Sequence, residues 1–178
     1  SQITTAPLVL GPAVWHFNPI SLVFCIQKNM DEEVIYLAKT LYGEARGQNL
    51  ASKKAVAWLI RNRLNSGIYG LTYKDVVLAK YQFTCWNQRI DPVNYKEIQN
   101  PSGKSWDECL SVAKEVISSP ESSNIVPGGI NYFSPKSQRA LHKKDPDNYP
   151  ATPAFAKDNK KLPTPCGVND DDYVFYRN

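Results

Sequence analysis

The chain has 178 residues, a net charge of +4, an apolar fraction of 42% and an aromatic fraction of 11%. That length fits one domain able to bury a substantial core, and the composition is that of a folded globular protein. No basic block interleaves with aromatics, which argues against nucleic-acid binding, and no stretch approaches the roughly 20 apolar residues that a membrane span needs.

The first segment, residues 6–25, is moderately apolar but broken by Pro7, Pro12, His16, Asn18 and Pro19. It lacks a basic beginning and so does not read as a signal peptide. The chain opens on Ser1 rather than Met, as it would after removal of a leader or tag. Residues 1–28 are therefore expected to be an irregular arm, with the domain proper at 29–178.

Val34, Ala38, Leu41 and Ala45 then step by four, three and four, the period of an amphipathic helix. Asn29 or Asp31 would cap it, Asp31, Glu32 and Glu33 would meet its dipole, and Gly47 would close it in a left-handed conformation. Glu44 falls in the last turn at the border of the apolar face, between the small residues Gly43 and Ala45. A carboxylate there loses hydration, which raises its pKa and lets it hold a proton for delivery to a leaving oxygen. On spacing alone the commoner outcome is a solvated glutamate paired with Arg46 or a nearby lysine.

A second helix is expected over 50–65, stopped by Gly67. Its inner stripe is Ala55, Val56, Leu59, Ile60 and Arg63, with Lys53, Lys54 and Arg61 reaching solvent. Thr72 with Asp75, and Ser105 with Glu108, read as capping boxes. They open a short helix through Ala79 and a longer one through about Ser118, the latter striped by Trp106, Cys109 or Leu110, Ala113, Val116 and Ile117 and ended by Pro120. Beyond residue 124 the chain is extended and glycine-rich. A polar loop is expected to about residue 162 and a short strand at 173–176. No internal repeat occurs. The expected class is α+β, mainly helical.

Other residues carry potential chemistry. Tyr81-Gln82-Phe83-Thr84-Cys85-Trp86-Asn87 sets three aromatics around two amides, suited to stacking on sugar rings while Gln82 and Asn87 bond hydroxyl and acetamido groups. Core packing of Phe83 and Trp86 is the competing interpretation. Asn131-Tyr132-Phe133-Ser134-Pro135 is a second aromatic and polar cluster. A thiol nucleophile, Cys85 activated by His142, is the rival chemistry, but His142 lies in a charged run and is expected to be solvated. Cys25, Cys85, Cys109 and Cys166 form no C-x-x-C pair, and with only His16 and His142 no ordinary zinc site is available. The four cysteines allow three pairings, or free thiols.

Three segments together resemble the spore-cortex-lytic and cell-wall hydrolase family. They are Leu37-Ala38-Lys39-Thr40-Leu41-Tyr42-Gly43-Glu44-Ala45-Arg46-Gly47 running on to Ala55-Val56-Ala57 and Arg61-Asn62-Arg63; the Tyr81–Asn87 segment; and Ile130-Asn131-Tyr132-Phe133-Ser134-Pro135, with Tyr173-Val174-Phe175-Tyr176-Arg177 closing the domain. The resemblance implies a single lysozyme-like (lytic transglycosylase-like) domain that cleaves peptidoglycan, with Glu44 as the catalytic acid. Tyr42, Gln82, Phe83, Trp86, Asn87, Asn131 and Tyr132 are the candidate substrate-binding residues. No cofactor or metal is implied, and a monomer acting on glycan strands at the bacterial cell wall is expected, whether secreted, periplasmic or phage-delivered as an endolysin. The chain departs from the family in having Asn131-Tyr132-Phe133 where histidine-tyrosine-tyrosine is common, and in a long segment between Lys136 and Leu162.

A glycosidase usually adds a second carboxylate. Asp75 and Glu108 are explained as caps, and Asp91 and Asp107 sit in no motif, so a single-acid lytic transglycosylase is preferred over a hydrolytic muramidase. The alternative of another class is a non-catalytic wall-binding or virion structural module.

Overall fold

The computed structural model describes residues 19–178, with side chains from residue 27 onward. Six α-helices occur among them: α1 (Pro19–Ala45), α2 (Leu50–Ser66), α3 (Tyr73–Leu78), α4 (Pro92–Glu97), α5 (Lys104–Ser118) and α6 (Pro135–Lys144). Two short strands, β1 (Asn131–Phe133) and β2 (Val174–Tyr176), pair antiparallel with Tyr132 opposite Phe175. The mainly helical α+β class expected from the sequence is what forms. No described helix is long and apolar enough to cross a membrane.

Helix α1 begins at Pro19, so residues 19–28 are helical and not an irregular arm; residues 1–18 lie outside the described residues. Its stripe of Val34, Leu37, Ala38, Leu41 and Ala45 is buried as the spacing required, each large aliphatic contributing about 1.5–3 kcal/mol when fully buried. The acidic run does not serve α1's own dipole, since it sits in the helix interior. Instead Glu33 accepts the Tyr73 backbone N–H at 2.6 Å and Glu32 pairs with Lys74 at 3.0 Å. Both sit at the start of α3, where free N–H groups and the dipole favour negative charge.

Helix α2 runs as expected, with Asn49 accepting from the Ser52 N–H and Gly67 closing it at φ 67°. Lys53 is a correction: it is 1% exposed, and its ammonium donates to Glu108 of α5 at 2.6 Å. Helix α5 packs against both α1 and α2 through Cys109, Val112, Ala113 and Val116. Its expected capping box does not form. Gly103 is the cap, Ser105 donates to the Arg46 carbonyl at 2.6 Å, and Glu108 is taken by Lys53. Tertiary partners outcompeted the local motif. The Thr72 cap of α3 does form, its hydroxyl accepting from the Asp75 N–H at 3.0 Å.

Helix α6 replaces the beginning of the expected polar loop. Ser134 caps it and Pro135 opens it, a pre-set φ where no N–H is needed. Cys85 and Cys109 are buried free thiols and Cys166 is an exposed one; the Cys25 side chain lies outside the described residues.

Candidate active site

Three elements converge on Glu44. The first is the end of α1, which finishes at Ala45 with the Gln48 N–H bonded to the Ala45 carbonyl at 2.9 Å. Gly47 has no positive φ and is not the expected left-handed stop. The Glu44 carbonyl, one of the orphan acceptors of a helix end, instead receives the Tyr173 hydroxyl at 2.7 Å.

The second element is the turn at Thr84–Trp86, which lies directly against α1. A Cβ on Gly43 would fall 2.6 Å from Cys85 Cβ and 2.8 Å from its Sγ, so only glycine permits this approach. It sets Cys85 beside the Glu44 carboxyl, where the thiol and the backbone N–H both favour the charged form.

The third element is β1. Asn62 of α2 donates to the Val126 and Gly129 carbonyls, each at 2.8 Å, and the adjacent Arg63 Nε–H donates to Ile130 O at 2.8 Å. This clamp fixes the start of β1, and Tyr132 then donates its hydroxyl to Glu44 Oε2 at 2.9 Å. Phe175 stacks on the Tyr132 ring at 6.3 Å and holds its direction.

Glu44 opens into a cleft of about 770 Å³, whose walls include Gln82, Asp91, Asn131, Phe133 and Phe155. That volume lies in the ordinary range for ligand sites, roughly 300–1,000 Å³. Burial pushes the Glu44 carboxyl above the usual glutamate value, and the nearby Asp91 charge adds to this; the hydrogen bonds from Tyr132 and Cys85 pull the other way without reversing it. The expected pairing with Arg46 does not occur, because Arg46 donates to Asn94 instead. A half-buried carboxyl with a raised pKa, facing an open cleft, is able to deliver a proton.

The sequence candidates divide sharply. Glu44, Gln82, Asn131 and Tyr132 share the cleft. Tyr42 is buried, bonded to the Ser102 carbonyl and edge-on to Trp106, because its position on α1 points into the core. Phe83 is buried beneath the Arg63 guanidinium. Trp86 lies against Tyr36 and donates Nε1–H to Thr40 at 2.9 Å, so its polar end is already satisfied. Asn87 spends its carbonyl on the Arg89 and Ile90 N–H groups of its own turn. Tyr42 stands apart from the cleft, whereas Phe83, Trp86 and Asn87 line a smaller hollow beside it.

The thiol-nucleophile reading is likewise corrected. Burial pushes the Cys85 thiol far up, and His142 sits on α6 with Nδ1 2.8 Å from the Tyr149 carbonyl. No group of metal-ligating residues occurs among the described residues.

Arg63 and Tyr173 also line the cleft without having been expected there, and so does Asp91, which the sequence had offered as a second carboxylate and set aside for want of a motif. Arg63 is 6% exposed, lies between the Tyr69 and Phe83 rings, and leaves Nη1 without a partner among the described residues. Its place on the inner stripe of α2 was one signal, since a charged residue on such a stripe needs a partner, and the Arg61-Asn62-Arg63 run of the family resemblance was another.

Residues 47–152 match the family of cell wall hydrolases. The chain belongs to the cell wall hydrolase family. Membership makes it a peptidoglycan-degrading enzyme in general terms and the cell wall its place of action. The matched stretch takes in Arg63, Gln82, Asp91 and Tyr132, and it begins at Gly47, just past Glu44. No curated protein and no solved structure matches the chain.

Proposed function

We propose that this cell wall hydrolase cleaves the glycosidic bond between N-acetylmuramic acid and N-acetylglucosamine, with Glu44 as the catalytic acid on a lysozyme-like scaffold. Residues 29–178 carry the activity, acting as a monomer. The observation that carries the reading is the Glu44 carboxyl itself, half-buried at the foot of the cleft, raised in pKa and aimed by the Tyr132 hydroxyl at 2.9 Å. Glu44 protonates the bridging oxygen, the bond to the muramic anomeric carbon breaks, and an oxocarbenium-like centre develops.

The finer reading is a lytic transglycosylase. The muramic 6-hydroxyl attacks the anomeric carbon, its proton passes to the Glu44 carboxylate, and a 1,6-anhydro product leaves. This reading rests on the Asp91 carboxylate being already committed. It caps α4 by accepting from the Asn94 N–H at 3.1 Å, and it also accepts from Asn94 Nδ2 at 2.8 Å and from Thr84 at 3.4 Å.

One observation favours a hydrolytic muramidase instead: Asp91 lines the same cleft as Glu44, where a second carboxylate would activate water. Mass spectrometry of muropeptides released from purified peptidoglycan separates the two. Anhydro ends are expected, and reducing ends would assign the reaction to water. In the same assay Glu44→Gln should bind the wall without clearing it. A wild-type protein that binds and never clears would make the domain a wall-binding or virion module.

A further inference from the structure

Of the three aromatics in the Tyr81–Trp86 segment, Phe83 and Trp86 are committed to the core and to polar partners, while Tyr81 is not. Its ring is 74% exposed and touches no other aromatic ring among the described residues; only the Lys80 ammonium stands over it, 4.8 Å from the centroid. Its backbone is also unusual. The Gln82 N–H closes a turn on the Ala79 carbonyl at 3.1 Å, and Tyr81, at the third position of that turn, has φ 66°. Glycine or asparagine normally fills such a position, because a Cβ is disfavoured in the left-handed region. Tyr81 is the one non-glycine residue with positive φ among the described residues. The fold gains no packing from the ring in return. A locally disfavoured residue with no structural gain points toward function.

Its place gives that function a shape. Tyr81 lines the Glu44 cleft beside Gln82 and also the smaller adjoining hollow of about 240 Å³, so it forms the lip between them. A pyranose ring presents an apolar C–H face to an aromatic ring and its hydroxyl and acetamido groups at the edge, where Gln82 lies. We propose that Tyr81 is a glycan-stacking residue, holding an N-acetylhexosamine ring of the strand at the lip of the cleft. The closed turn sets the Tyr81 backbone at the lip before the sugar arrives, so less backbone ordering is left to the moment of binding. The proposal rests on the glycosidase reading of the same cleft and adds to it the residue that grips the strand away from the bond being cut.

The test uses chitotetraose as probe, titrated into the Glu44→Gln protein so that binding is read without turnover. Adding Tyr81→Asn, which tolerates positive φ, should weaken binding by about tenfold, the scale for truncating an anchoring aromatic. The melting temperature should stay unchanged or rise, and Tyr81→Trp should restore affinity. In the otherwise wild-type enzyme, Tyr81→Asn should raise KM on peptidoglycan and leave kcat nearly unchanged. Affinity and KM both unaltered by Tyr81→Asn would overturn the proposal, even where Glu44→Gln abolishes cleavage. If Tyr81→Asn weakens binding in a protein that never cleaves, the glycosidase reading fails while the stacking role survives.

Discussion

Glu44 and Glu108 each stand on a helix at the edge of the same core, and their surroundings drive them in opposite directions. Glu108 meets the Lys53 ammonium at 2.6 Å, with Lys104 at 3.9 Å, and that hydrogen bond holds its carboxyl below the usual glutamate range. Glu44 loses hydration without gaining a cation in contact, and the neutral donors Tyr132 and Cys85 do not offset the loss, so its carboxyl is held above that range. One pair ties α2 to α5; the other leaves a proton available at a cleft. Burial with no cation in contact among the described residues separates the reactive glutamate from the structural one.

Removal of the Glu44 carboxyl has the greatest consequence. Glu44→Gln should lower peptidoglycan clearing by roughly 10²-fold to 10⁴-fold, the usual contribution of a positioned general acid. Glu108→Gln should leave the rate per folded molecule at the wild-type level, measured by the same turbidity assay. Next in size, Tyr132→Phe removes a donor that favours the Glu44 carboxylate. Its loss should raise the Glu44 pKa further, moving the alkaline limb of the pH–rate profile to higher pH, while poorer aiming lowers the maximal rate by about tenfold.

Gly43→Ala tests the contact that brings Cys85 to Glu44. The added methyl has no room, and overpacking of this kind costs about 1–3 kcal/mol, readable as a lower denaturant midpoint together with slower clearing.

The smallest effect is in stability and has opposite signs at the two sites. Folding raises the Glu44 pKa, so its contribution is complete below the unperturbed value of 4.5 and is lost as pH rises through the folded value. Glu44→Gln should therefore melt higher than wild type at neutral pH, and the gap should close in acid. Folding lowers the Glu108 pKa, so its contribution is present above 4.5 and is lost as pH falls through the folded value. Glu108→Gln should melt lower at neutral pH, and that gap should close in acid too. Calorimetry from acid to neutral pH reads both.

What the sequence made legible follows the range over which each feature is decided. The α1 stripe, the Gly67 stop and the Thr72 cap depend on residues within a turn or two, and they formed as expected. The Ser105 and Glu108 motif failed because Arg46 and Lys53, distant in sequence, offered better partners. Helix α6 has no fully buried residue and therefore no apolar stripe to find, although Ser134-Pro135 carries a start signal.

The site shows the same divide. Glu44 and Tyr132 were legible as a helix-end carboxyl and an aromatic cluster. Their contact, and those of Tyr173 and Asp91, exist only once α1, β1 and the Thr84–Trp86 turn meet. Nothing local to the Tyr81–Asn87 segment told which aromatic would face the cleft, because the turn closed by the Gln82 N–H, with Tyr81 at positive φ, exists only in the folded chain.

The most direct test of the account follows the two carboxyl carbons of Glu44 and Glu108 by ¹³C NMR as pH is varied in one sample. A Glu44 midpoint above the unperturbed 4.5 and a Glu108 midpoint below it are expected. A Glu44 midpoint at or below that of Glu108 would contradict the account, since the cleft would then hold an ordinary carboxylate with no proton to give.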